Sequence, residues 1–203
     1  MLPPIYLANS DRKVTFFISC QKKHSCYSWS MSEKKYPFLP EGKEITLVPL
    51  ENPFMTRART VARNMSTDRK HPTGAVVVKD GVILGEGANQ VPLKNKTLSK
   101  MHQKGACVRK LFKVKSGEKY WICPGCANYS DHGEQQAVRN AIAQSGDVQG
   151  ADLYLWGHWW CCEPCWNAML AVGIENVYLL EGGDTLFDRD NPANKIGKFE
   201  EIA

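Results

Sequence analysis

The sequence predicts an α/β domain whose sheet is parallel in part, and three observations lead there. In the second half strands alternate with helices. EQQAVRNAIAQSG carries Ala137, Val138, Ala141 and Ile142 on one helical face, and ADLYLW is a buried strand. CEPCWNAMLAV follows as a helix and ENVYLL as another strand, the alternation of a parallel crossover. Upstream, TGAVVVKDGVILGEGAN reads as a hairpin, two apolar runs joined at Lys-Asp-Gly. Before the hairpin, PFMTRARTVARNM places Phe54, Ala58, Val61, Ala62 and Met65 at helical spacing behind a proline suited to a first turn.

Residues 1–50 differ from the rest. KVTFFIS and EITLVPL are short β-prone runs separated by a Lys- and Ser-rich stretch, so this part is expected to be a β-rich N-terminal extension. Residues 51–203 form the main domain. The stretch from Gln90 to Ser130 is polar, Lys-rich and too long for a simple connection, which marks it as functional. Hydrophobic content of 43% and charged content of 23% are those of a globular protein. No run approaches the roughly 18 apolar residues of a membrane span. The start, MLPPIYLANSDRK, lacks the pattern of a secretory signal, so a reducing, cytoplasmic setting is expected and no membrane partner. The net charge of +5 suits a phosphorylated or nucleic-acid substrate without demanding one.

In a reducing compartment, clustered cysteines serve metal binding or chemistry more often than disulfides. In HWWCCEPCWNAM, Cys162 and Cys165 stand two residues apart at the mouth of a helix. That spacing brings two thiolates to one ion, and the helix N-terminus favours their charge. In SDHGEQQAV, His132 falls at a second helix start, with Glu134 two positions on. Two thiolates and one imidazole leave one position of a zinc tetrahedron open to water, as in a catalytic site. Glu134 can then stand beside that water and carry its proton to a substrate nitrogen. A C-x-x-C alone reads as a structural clip, and H-x-E alone as a solvated helix face. Their combination, with a helix and a strand between, points to catalysis.

Over about residues 52–181 these motifs resemble the zinc-dependent cytidine and deoxycytidylate deaminases, a superfamily that includes tRNA adenosine deaminases and the APOBEC-type editors. Their signature is H-x-E followed by P-C-x-x-C, with the Glu a proton shuttle and not a ligand. The resemblance implies a three-layer α/β/α fold with a mixed central sheet. It also implies hydrolytic deamination, with His132, Cys162 and Cys165 as zinc ligands and Glu134 as the catalytic residue. Aligning AMLAVGIENVYLL with the family's helix and strand puts Cys161 in the place of the usual proline. Asn89 in GEGANQ matches the family's sugar- or base-holding Asn, the backbone at Ala75 resembles a wall of the base pocket, and Trp159 resembles the editors' tryptophan beside the base. Each has a plainer reading, as a turn Asn, a strand residue and a core Trp. GACVRK and WICPGC fit the outline of the deoxycytidylate branch, so dCMP converted to dUMP is the expected reaction. Lys104, Arg109, Lys110 and Lys113 are candidates for the phosphate. A homo-oligomer is implied by the relatives.

Beyond Cys161, the chain departs from the family's pattern in three further places. Gly133 replaces the usual Ala, GANQ replaces the G-Y-N-G of many regulated enzymes, and only about twenty residues follow ENVYLLEGG. The N-terminal strands are expected to supply the missing edge. His102, Cys107, Cys123 and Cys126 form H-x4-C-x15-C-x2-C, the spacing of a second, structural zinc. Free thiols or a CPGC redox pair are the alternatives, and Cys20 or Cys26, with His24 between, could instead supply a ligand. Two other functional readings stay open: a deaminase of single-stranded DNA or RNA, with cytosine or adenine as its base, and a non-catalytic zinc-stabilised binding module. An intact Glu134 argues against the last.

Overall fold

The structure is a computed structural model that describes residues 35–115 and 118–202. KVTFFIS, Cys20, His24 and Cys26 lie outside the described residues. The chain runs through β1 (Ile45–Val48), α1 (Pro53–Met65), β2 (Gly74–Lys79) and β3 (Val82–Ala88). It continues through α2 (Lys96–Gln103), α3 (Val108–Leu111), α4 (Gly133–Ser145), β4 (Asp152–Trp156), α5 (Glu163–Ala171), β5 (Asn176–Leu180) and α6 (Gly183–Leu186). Five strands form one mixed sheet in the order β1-β5-β4-β2-β3. β1, β5 and β4 are parallel; β2 is antiparallel to both β4 and β3. The EITLVPL run thus pairs along β5 and closes that edge of the sheet.

Alternation along β2 shows why there are three layers. Ala75 and Val77 pack toward α4 and α5 with Leu153, Leu155, Trp166 and Met169. Val76 and Val78 pack on the opposite face with Met55, Ala58, Val61 and Ala62 of α1. A strand buried on both faces needs apolar residues at every position, and GAVVVK supplies them. The chain leaves α1 and enters the sheet under local control. Asn52 caps α1, its Oδ1 accepting from the amides of Phe54 and Met55. The hairpin turns through Asp80 and Gly81, both at positive φ (51° and 77°), as a two-residue loop requires. The expected apolar faces are shifted at their ends: Met55 replaces Met65 in the core, and Ile142 is 37% exposed on α4. Among the described residues no helix is long and apolar enough to cross a membrane.

Helix α4 lies almost on the backbone of β3. A Cβ at Gly85 would sit 2.3 Å from the Ala141 nitrogen, and one at Gly87 would sit 2.1 Å from the Ala137 nitrogen. Gly85 and Gly87 are two apart and so share one face of the strand. Facing them are alanines of α4, so GEG and A-x-x-x-A are complementary surfaces. The β1 edge is also tied across the sheet: Tyr154 and Tyr178 stand in register on β4 and β5 and stack at 4.4 Å.

Gly87→Ala should therefore destabilise the protein by about 3 kcal/mol or more, since the added methyl meets backbone that cannot yield. Val82→Thr, at a position 60% exposed, should stay within about 0.5 kcal/mol of wild type. Denaturant melts of both variants check the contrast.

Candidate active site

The site forms where two helix N-termini meet at one end of the sheet. His132 is the N-cap of α4 and Cys162 the N-cap of α5. Extended backbone at both (ψ 153° and 157°) turns the chain into its helix and leaves the side chain at the mouth. Cys165 lies one turn into α5, and its amide donates to the Cys162 carbonyl at 3.0 Å. The His132 Nδ1 is 3.6 Å from the Cys162 sulfur and 3.5 Å from the Cys165 sulfur. A tetrahedral zinc with bonds of about 2.3 Å to sulfur and 2.0–2.1 Å to nitrogen has N–S edges of about 3.6 Å. The donor set therefore fits zinc in both chemistry and spacing, with three ligands and room for a fourth.

Electrostatics prepare the donors. The Cys162 thiol is drawn down to about 5 by its hydrogen bond with Cys165 and, against desolvation, by His132. Cys165 is correspondingly driven well up, so the pair releases one proton early and holds the other. Burial alone would lower the His132 pKa; the Cys162 hydrogen bond and the Glu134 charge outweigh it and raise it. Glu134, on the first turn of α4, is only 5% exposed, and burial pushes its carboxyl upward against the pull of His132. Cys161 is fully buried beside it, a neutral thiol held up by burial and by the Glu134 charge. It is not in the three-donor cluster.

His132, Glu134 and Cys162 open into a cavity of about 870 Å³. Of the positions singled out in the sequence, Asn89, Trp159, Arg109 and Lys110 line it. The Asn89 side chain is also structural: its Oδ1 accepts from Ser66 Oγ and the Thr73 amide, and its Nδ2 donates to the His71 carbonyl. Ala75 is not at the cavity. It is fully buried, with its side chain in the core beneath α4 and α5, and Thr73 lines the cavity in its stead. Lys104 and Lys113 do not line it either, and the Arg109 guanidinium is bonded to backbone carbonyls. His102, Cys107, Cys123 and Cys126 come together, their donor atoms within 4.8 Å of one another, and all but Cys123 line the same cavity.

Sequence reasoning missed His71, His158, Lys70 and Arg189 as lining residues. Arg189 arrives from beyond β5, on a segment anchored where Phe187 and Phe199 pack against Trp156 at 5.0 and 4.7 Å. No motif marks it; only the packing of that segment brings it there. Burial and the nearby Arg189 charge lower His71 to about 2 and His158 to about 3, so both are neutral.

Residues 50–181 match the family described as the cytidine and deoxycytidylate deaminase zinc-binding region. The chain is similar to the dCMP deaminase of cyanophage S-TIM5 in complex with dCMP and dUMP, at 20% identity and a TM-score of 0.39, over 64% of this chain and 82% of that one. It is also similar to guanine deaminase from Bacillus subtilis, at 22% identity and a TM-score of 0.37, over 66% and 69% of the two chains. No curated protein matches the sequence.

Elemental analysis should find zinc retained in Cys161→Ser and lost from the site in Cys162→Ser and Cys165→Ser. The reverse result would move the ligand register by one residue. A second expectation concerns acid. The unfolded chain protonates His158 near its ordinary value of 6.5, whereas the native site refuses the proton until about 3. Stability is thus fully present above pH 6.5 and declines as pH falls below it, by on the order of 1–2 kcal/mol at about pH 5 for this residue. Urea melts of wild type and His158→Gln near pH 7.5 and pH 5 should show the smaller loss in the variant.

Proposed function

Since the chain belongs to the cytidine and deoxycytidylate deaminase family and is a zinc-dependent hydrolytic deaminase, we propose that it acts on a cytosine nucleotide, with dCMP converted to dUMP and ammonia released. The observation that carries this reading is the placement of Glu134. A carboxylate 5% exposed, on the first turn of a helix, faces the three-donor cluster without joining it. A buried carboxylate with no such neighbour would be a large cost to stability. Here it has a task.

In this reading His132, Cys162 and Cys165 hold zinc, which supplies the Lewis acidity that makes water nucleophilic at neutral pH. Glu134 accepts a proton from the attacking water, and the water oxygen bonds to C4 of the ring. The carboxyl then gives that proton to N3, takes a second from the new C4 hydroxyl and delivers it to the amine, so that the C4–N bond breaks, C4=O forms and ammonia leaves. A raised pKa matches this double duty, because a group that both takes and returns protons works best near the operating pH. Cys161 keeps a neutral, apolar back wall against the carboxylate. His71 and His158, held neutral, offer hydrogen bonds without adding charge beside the zinc.

Lys70, Lys110 and Arg189 line the cavity, and they are the cations we assign to the substrate phosphate. Asp188 and Asp190 stand among them, so the cavity is not a featureless positive funnel. That mixture favours one compact phosphate over a polynucleotide backbone, whose binding grows with the number of phosphates neutralised. Trp159, half-buried, lines the cavity, and in this reading it stacks on the base. Ammonia release measured across free cytosine nucleosides, nucleotides and single-stranded oligonucleotides tests the assignment. Preference for an oligonucleotide over dCMP would overturn the substrate and leave the chemistry standing.

Glu134→Gln should lower the deamination rate by about 10⁴-fold, the upper end for general acid–base catalysis, because one group serves several proton transfers. Zinc content and melting temperature should hardly move. A variant that loses zinc would make Glu134 a ligand, and a variant that keeps its activity would remove it from the mechanism.

A further inference from the structure

The segment between β3 and α4 holds four donor residues that deamination does not use. His102 lies at the end of α2, Cys107 is the N-cap of α3, and Cys123 and Cys126 flank the CPGC turn. The Cys107 sulfur is 3.8 Å from that of Cys123 and 3.7 Å from that of Cys126. The Cys126 sulfur is in turn 3.7 Å from His102 Nε2. These are not disulfide distances, and all three cysteines are free. A tetrahedron with metal–sulfur bonds of about 2.3 Å has S–S edges of about 3.8 Å and S–N edges of about 3.6 Å. Three of the six donor–donor edges have these lengths, and all four donor atoms lie within 4.8 Å of one another.

Two further observations point the same way. First, the turn is shaped to receive the imidazole: a Cβ on Gly125 would fall 2.4 Å from the His102 ring. Second, Arg109 is only 5% exposed, yet among the described residues no carboxylate is paired with it. Its Nε donates to the Glu118 carbonyl and its Nη2 to the Lys115 carbonyl, both at 2.8 Å. Its Nη1 points at the Cys126 sulfur from 4.0 Å. A buried cation needs a counter-charge. Three thiolates, one neutral imidazole and a divalent zinc sum to one negative charge, which is what Arg109 lacks.

We infer that His102, Cys107, Cys123 and Cys126 bind a second zinc ion, and that this ion fixes the cavity wall against the catalytic histidine through Arg109 and Tyr120. All four ligands are protein atoms, so the site is closed and structural. The chain of contact is short. The Arg109 guanidinium carbon lies 3.8 Å above the Tyr120 ring, and that ring meets His132 edge-on at 5.1 Å and 88°. Tyr120 is thereby a positioning residue for His132. His102, Cys107 and Cys126 themselves line the cavity, so loss of the ion would loosen one of its walls. Only the coupling to His132 rests on the proposed deaminase site; the metal count stands apart from any activity.

Elemental analysis of the purified full-length chain should give two zinc ions per chain. The Cys162→Ser/Cys165→Ser double variant, which leaves the second cluster untouched, should retain one; its cobalt form should show intense thiolate charge-transfer absorption. One zinc in wild type, or none in the double variant, overturns the second site even if the enzyme deaminates normally. For the coupling, cobalt in the catalytic site is the reporter, its visible bands assigned as those missing from the double variant. Tyr120→Leu should shift those bands, and Tyr120→Phe, which keeps the ring, should restore them. Bands unmoved in Tyr120→Leu refute the coupling. If the Leu variant does not fold, the same bands in Arg109→Lys serve, where a smaller cation loses the planar stack over Tyr120 and must shift them.

Discussion

Helix α4 can begin at the metal cluster only because it approaches β3 to backbone contact. Gly85 and Gly87 present bare strand to Ala137 and Ala141, and the resulting close packing fixes the height and rotation of the helix over the sheet. His132 and Glu134 ride on its first turn, so their positions follow from that contact. A helix held off by even one methyl would move its N-terminus by a sizeable part of the 3.5 Å between His132 and Cys165. Packing in the core thus becomes precision at the site. Dense interiors do not deform continuously, so such a displacement cannot be absorbed quietly.

The second ingredient is the sign of charge favoured at the site. Two helix N-termini converge on one point, each favouring negative charge, and the thiolates and Glu134 are the groups placed there. Two further histidines of the cavity add no positive charge there. His71 and His158 remain neutral by burial and by the nearness of Arg189. The cationic residues Lys70, Lys110 and Arg189 lie in the cavity lining, where a phosphate would find them. In the proposed reading, one cavity would serve both the metal and base chemistry and the recognition of a phosphate.

The long insertion between β3 and α4 solves a problem of its own length. Its two helices have eight and four residues and its apolar core is small, which is too little to hold forty residues in one conformation. The proposed cross-link through His102, Cys107, Cys123 and Cys126 would replace the missing core. Several apolar side chains of this part stay exposed, Leu111 at 77% and Trp121 at 76% among them, so burial alone is not what shapes it.

The sequence by itself determined the elements and the chemistry. Periodicity in α1 and α4, the Lys-Asp-Gly turn and the unbroken apolar run of β2 are local facts, and local physics gives them the same meaning in any context. H-x-E and C-x-x-C were legible because ligand spacing and helix-start position are both written in the chain, as was the wider spacing of His102, Cys107, Cys123 and Cys126. Tertiary structure decided what depends on distant neighbours. It put the Ala75 side chain in the core beneath α4 and α5 and left Thr73, two residues earlier, at the cavity at the end of the sheet. It gave the Asn89 amide and the Arg109 guanidinium backbone partners from segments that only the fold brings close. It delivered Arg189 and His71 to the cavity, where no motif announced them, since their places follow from the packing of Phe187 and Phe199 on Trp156 and from the path of the loop into β2. Ligand identity lies in local spacing, whereas the shape and charge of the space around the ligands come from contacts far apart in the chain.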